Sequence, residues 1–206
     1  MRIAKSLAPV LLSLATYQGS HAAILFDNLN EVSSSSSSTS TTVLYGQQFT
    51  TGNQAYSLDF ATLLMSRTGS GNARVEIWNG STTVPTSFLG SLTLNGSYSP
   101  TLANTKFTTS GVPLSPNSSY WIVLGAQTAG NSFSWSYTGQ NTDTEPGYTT
   151  LWAENSTGTW VAGSGDPFQM SVSVTPVPEP SQTVALTASI CAVFAGFIRF
   201  RRSKSN

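Results

Sequence analysis

Between residues 23 and 176 the apolar positions of this chain recur with a period of two, the spacing that sends successive side chains to opposite faces of a strand. Ala73, Val75 and Ile77 alternate with Arg74 and Glu76, and Phe168, Met170, Val172 and Val174 alternate with Gln169, Ser171 and Ser173. Each run predicts a strand with one buried face. Phe133, Trp135 and Tyr137 alternate with serines, whereas Tyr120, Trp121, Ile122, Val123 and Leu124 are apolar in succession, which predicts a central strand. Further strands are expected over 24–29, 43–49, 58–65, 88–94 and 106–109.

Turn chemistry separates these runs: Gly and Asn, which tolerate left-handed backbone, gather at 51–53, 69–71, 79–81, 95–97, 110–111, 115–117, 129–131 and 163–165. Short strands punctuated so regularly predict an all-β fold, a single β-sandwich, with a jelly-roll-like connection preferred and an immunoglobulin-like one as the alternative. No helical stripe occurs before residue 183. Residues 33–42 are serines and threonines only, with no apolar side chain to repay ordering, and are expected as a mobile loop between the first two strands.

The two ends of the chain follow different rules. Arg2 and Lys5 precede a short apolar run at 7–15, and Ser20, His21 and Ala22 supply small residues where a signal peptidase reads, so 1–22 is expected to be a signal peptide. At the other end a Val-Pro-Glu-Pro-Ser signature holds Pro178, Glu179 and Pro180. An uncharged apolar run at 183–198 follows it, and then the basic residues Arg199, Arg201, Arg202 and Lys204. As a helix the run reaches roughly 24 Å, short of a ~30 Å hydrocarbon core but within reach once Phe200 and snorkelling arginines extend it. A transmembrane helix at 183–198 with a basic stop signal on the cytoplasmic side is therefore expected, leaving residues before 177 outside. An ordinary tail anchor or a buried core helix are the alternatives, the second disfavoured by the basic cluster.

Motif, span and basic cluster, in this order at the C-terminal end, resemble the PEP-CTERM sorting signal of Gram-negative bacteria over residues 177–206. The resemblance implies recognition by an exosortase, a membrane-embedded processing enzyme, in organisms that make exopolysaccharide. It places the sorting motif at Pro178, Glu179 and Pro180. Cys191, within the span, reads as a small apolar packing residue. The order FDNL, QQFTTG, YSLDFATLLM, VEIWNG, SYWIVLGA, FSWSY, TGTW and FQMSV in 23–176 is similar to the choice-of-anchor R type of extracellular bacterial domain. That similarity implies an extracellular β-sandwich and supplies no catalytic residues.

With both ends set aside, the composition of 23–176 narrows the chemistry. The single His21 and single Cys191 lie outside it, which excludes a Ser-His-Asp triad, a Cys-His pair, a His or Cys zinc site and a disulfide. Arg67, Arg74 and Lys106 stand against Asp27, Glu31, Asp59, Glu76, Asp143, Glu145, Glu154 and Asp166, so the net charge is 3 − 8 = −5. Nucleic acid is excluded as a partner. Carboxylates alone can hydrolyse glycosides, and Asp143, Glu145, Glu154 and Asp166 make a glycan hydrolase or lyase the rival reading.

Five tryptophans favour binding instead, since an indole face can stack on a sugar ring. Trp152 and Trp160, in the turn-rich late segment, are the candidates for glycan stacking. Trp121 and Trp135 sit inside strand patterns and are expected in the core. Asn141, Asp143 and Glu145 form a weak candidate calcium loop, lacking the glycine and terminal glutamate of an EF-hand. The expectation is an exported, non-enzymatic surface or matrix protein with no cofactor, whose sandwich is either structural or binds exopolysaccharide. Its expected partners are signal peptidase and exosortase during export, the inner membrane transiently, and, in the binding alternative, exopolysaccharide.

Overall fold

The computed structural model describes residues 21–178, apart from 141 and 143. Residues 1–20 of the signal peptide expected at 1–22, the span expected at 183–198, Glu179, Pro180, Arg199, Arg201, Arg202 and Lys204 lie outside the described residues. Among the described residues there are twelve strands and no helix long and apolar enough to cross a membrane.

All strand pairs are antiparallel, and they make one curled sheet whose two layers face each other. One layer runs β1 (Ala23–Asp27), β12 (Met170–Pro176), β4 (Tyr56–Thr68), β7 (Ala103–Leu114). Beyond Met170, the first residue of β12, β9 (Ser132–Tyr137) continues along β4, and β2 (Ser35–Thr39) pairs with β9. The other layer runs β6 (Pro85–Asn95), β5 (Ala73–Gly80), β8 (Ser119–Ala126), β3 (Leu44–Thr50), β10 (Leu151–Asn155), β11 (Trp160–Ser164).

Strand β6 joins the layers. Its first part pairs with β5 and its last three residues, Thr93 to Asn95, pair with β7. Irregularities in the β5–β6 register at Ile77/Trp78 and Asn79/Gly80 add the local twist that such a bend requires. Strand β7 is bent too. The pair Ser110-Gly111, expected as a turn, lies inside β7 as a bulge opposite β4, with Gly111 at φ 96°. Left-handed backbone is accessible to glycine at little cost, so the strand continues through it.

The alternation at 73–77 becomes packing. Ala73, Val75 and Ile77 of β5 meet Leu58, Leu63, Met65, Phe107, Met170, Val172 and Val174 of the opposite layer in the main core. Strand β8 is central, between β5 and β3, and is buried on both faces as its continuous apolar run predicts. Trp135 stacks on Phe168 at 4.7 Å and donates its indole N–H to the Gln169 carbonyl oxygen. On β12 the polar alternates Ser171 and Ser173 are also buried, short side chains set between longer cross-strand neighbours, Asp27 and Thr62 beside Ser171 and Ile24 and Phe60 beside Ser173.

Two buried amides tie the loops to this core. Gln47 donates to the carbonyl oxygens of Gln48, Thr149 and Leu151 and accepts from the Phe168 N–H. Gln169 donates to the carbonyl oxygens of Asn28 and Glu31 and faces the Ser136 hydroxyl at 2.6 Å. Both are fully buried, so their satisfied hydrogen bonds offset desolvation that would otherwise cost a few kcal/mol.

Residues 33–42, expected as a mobile loop, depart from that expectation. Five of them form β2, laddered against β9 from Ser35 opposite Tyr137 to Thr39 opposite Phe133. A backbone ladder needs no apolar side chain, and Thr39 adds a bond from its hydroxyl to the Phe133 carbonyl.

Candidate functional site: an aromatic face outside the core

The residues of β5 that alternate with its core positions point the other way. Arg74, Glu76 and Trp78 line up on the outer face and bond along it. Arg74 Nε lies 2.7 Å from Glu76 Oε1 and its Nη2 lies 3.0 Å from Oε2, a bidentate pair. Oε2 also accepts the Trp78 indole N–H at 2.8 Å. Glu76 is only 7% exposed. Its hydrogen bonds hold the Arg74 guanidinium above its ordinary pKa, outweighing burial. The indole of Trp78 is thereby fixed by a charge-assisted bond rather than by packing alone.

Around Trp78 a second, smaller apolar cluster has formed outside the main core. Trp121, Val123, Leu44 and Ala153 are its buried members, with Trp78, Val84, Leu151 and Trp160 packed against them. Small residues let the β10–β11 hairpin and the 80–85 connection settle here. Gly46 stands opposite Val123 and Ala153, and any Cβ on it would touch Pro85, Trp121 and Val123 at 3.5 Å. Gly125 leaves the space that Leu44 fills. Trp121 is fully buried under Gly80, and its indole N–H has no acceptor among the described residues.

Phe88 and Trp160 flank Trp78. Their ring centroids lie 6.0 Å and 6.3 Å from it, at interplanar angles of 79° and 72°. Phe88 is 52% exposed, and Trp78 and Trp160 are half-buried, so three rings meet solvent together.

The candidates Trp152 and Trp160 do not share a face. Trp160 stands opposite Asn155 in the β10–β11 hairpin and belongs to the outer cluster. Trp152 points to the other side, packed on the main core, edge-on to Phe168 at 6.2 Å and over Gly163. Trp78 and Phe88 are the partners of Trp160 that sequence reasoning did not single out. The parity of Arg74, Glu76 and Trp78 against Ala73, Val75 and Ile77 was the available signal for Trp78.

The remaining candidates are dispersed. Asn141 and Asp143 of the calcium loop lie outside the described residues; Glu145 accepts the Tyr148 N–H through its backbone carbonyl. Thr142, between the first two, gives its N–H and hydroxyl to Glu31 Oε1. Among the described residues no three His, Cys, Asp or Glu side chains gather as a metal site. Glu154 faces Tyr45 across the β3–β10 ladder. Burial first, then the charge of Glu154, raises the Tyr45 pKa above its ordinary value. Asp59 accepts from the Thr175 hydroxyl, and Asp166 is exposed.

No protein-family model matches the chain, and no curated protein matches it. Fold and geometry define it as an all-β protein, a curled antiparallel sheet with an aromatic patch on its outer surface.

Proposed function

We propose that this chain is an exported protein of the bacterial cell surface or extracellular matrix and that its β domain is a non-catalytic binder of exopolysaccharide. Signal peptidase acts at 1–22. The PEP-CTERM tail at 177–206 holds the chain transiently in the inner membrane until exosortase recognises Pro178, Glu179 and Pro180. In finer topology the domain is a jelly-roll-like sandwich. The spatial orders β1-β12-β4-β7 and β3-β8-β5-β6 support this, since the chain passes back and forth between two four-stranded layers, with β2, β9, β10 and β11 as additions.

The observation that carries the binding role is the exposure of Phe88 beside Trp78 and Trp160 on a face outside the main core. Apolar rings grouped at the surface are the usual mark of a contact site. The test is incubation of the full chain with the exopolysaccharide of the producing strain. Retention of the protein, competed by soluble sugar, with unchanged polysaccharide chain length is the expected result. A fall in chain length would instead assign a carboxylate-dependent hydrolase or lyase.

A further inference from the structure

We infer that the outer aromatic face, Trp78 with Phe88 and Trp160 beside the Arg74–Glu76 pair, is a subsite for a neutral glycan chain. The inference rests on the binding role above and adds where the sugar sits and what charge it carries.

The rings supply the apolar half of the argument. A pyranose is apolar on the faces that carry its C–H bonds, and an aromatic ring matches that surface. Here the ring needs little ordering on binding. The Trp78 indole is held by the 2.8 Å bond to Glu76, itself held twice by Arg74, and Trp78 stands between two rings nearly perpendicular to it. Fixed side chains lose little rotamer entropy when ligand arrives, so more of the contact appears as affinity.

Polar donors stand at the edge of the same patch. Arg74 turns Nε and one edge of its fork to Glu76, and its side chain is 37% exposed. A guanidinium has five N–H donors in fixed directions, so those not spent on Glu76 are placed for hydroxyl oxygens.

Charge separates a neutral glycan from an acidic one. Each of the three basic side chains in 23–176 already faces a partner: Arg74 the Glu76 carboxylate, Lys106 the Phe60 ring at 3.5 Å, and Arg67 the Tyr98 ring at 4.9 Å. With eight acidic residues against three basic ones, the domain repels a polyanion, and the cation at this face has been neutralised. An uncharged polyhydroxyl chain meets neither penalty.

The test is affinity electrophoresis of the full chain through gels containing hydroxyethylcellulose, galactomannan or dextran, with alginate as the acidic probe. The variants are F88A, W160A and, as an exposed apolar control away from the patch, L102A. The expected result is retardation of wild type and L102A by a neutral polysaccharide, little by alginate, and binding about tenfold weaker in F88A and W160A. Phe88 is half-exposed, so F88A carries the test even if W160A fails to fold. Retardation equal in wild type, F88A and W160A would overturn this site while leaving polysaccharide binding intact. Retardation by alginate alone would overturn the neutral assignment. No retardation in any gel would overturn both this inference and the binding role. Light scattering showing a wild-type dimer that F88A dissociates would assign the face to a second copy of the chain and overturn the glycan subsite.

Discussion

At the scale of single residues, Glu76 and Tyr45 show how differently two polar groups can be settled. Glu76 accepts three hydrogen bonds from two partners, so Glu76→Ala leaves a guanidinium and an indole N–H without their acceptor. Loss of about 1–3 kcal/mol is expected in denaturant titration, toward the lower end because Arg74 is 37% exposed and solvent screens part of the pair. Tyr45 titrates instead. Its folded pKa lies above the unfolded value of 10.0, through burial first and the Glu154 charge second. The stability this contributes is fully present below pH ~10 and is lost as pH climbs through the folded pKa. Tyr45→Phe should therefore flatten the alkaline loss of Tm. Glu154→Gln should bring the phenol pKa back toward its ordinary value in an ultraviolet titration, and an unmoved phenol would contradict the assignment. Gln169 makes a third case. Gln169→Leu takes the amide donor from the Glu31 carbonyl and one of two donors from the Asn28 carbonyl, while the Ser136 hydroxyl keeps Ser33 and the Ser35 carbonyl. A cost of about 1–3 kcal/mol is expected, read as a drop in Tm.

At the scale of strands, the bulge at Gly111 makes a sharp prediction. At φ 96°, and with Ser57 Oγ 2.9 Å from where a Cβ would lie, Gly111→Ala should destabilise by about 1–2 kcal/mol or more, whereas Gly52→Ala, with open space around it, should be tolerated. The period-two runs at 73–77 and 133–137 and the continuous apolar run at 120–124 were readable because one or both faces of β5, β8 and β9 are built of large apolar side chains. Strand β2 was not, since its ladder with β9 rests on backbone bonds that serine forms as well as valine does. Strands β10 and β11 are short and half-exposed, which leaves little alternation to read. The site was partly legible for the same reason. Which face a tryptophan takes depends on cross-strand register, and the pairing of Asn155 with Trp160 separates Trp160 from Trp152 by parity alone. The approach of Trp160 to Trp78 depends further on the small residues Gly46 and Ala153 beneath the hairpin, a long-range fit that local pattern does not encode.

At the scale of the molecule, the residues between 23 and 176 contain a complete core, and His21–Val177 form a compact unit. Such a unit can hold its aromatic face outward irrespective of the processing proposed for the two ends. Replacing Pro178, Glu179 and Pro180 together should block the proposed separation of domain and tail in the producing strain, seen as the β domain with 177–206 still attached in membrane fractions, without altering the folded domain's Tm. The proposed role then depends on one face meeting sugar. The most direct measurement is a titration of the full chain with neutral polysaccharide fragments, following the indole N–H resonances of its five tryptophans by nuclear magnetic resonance. Shifts confined to Trp78 and Trp160, with Trp135 and Trp152 unmoved, are the result this account predicts. Shifts at Trp152 alone, or at no indole, would contradict it.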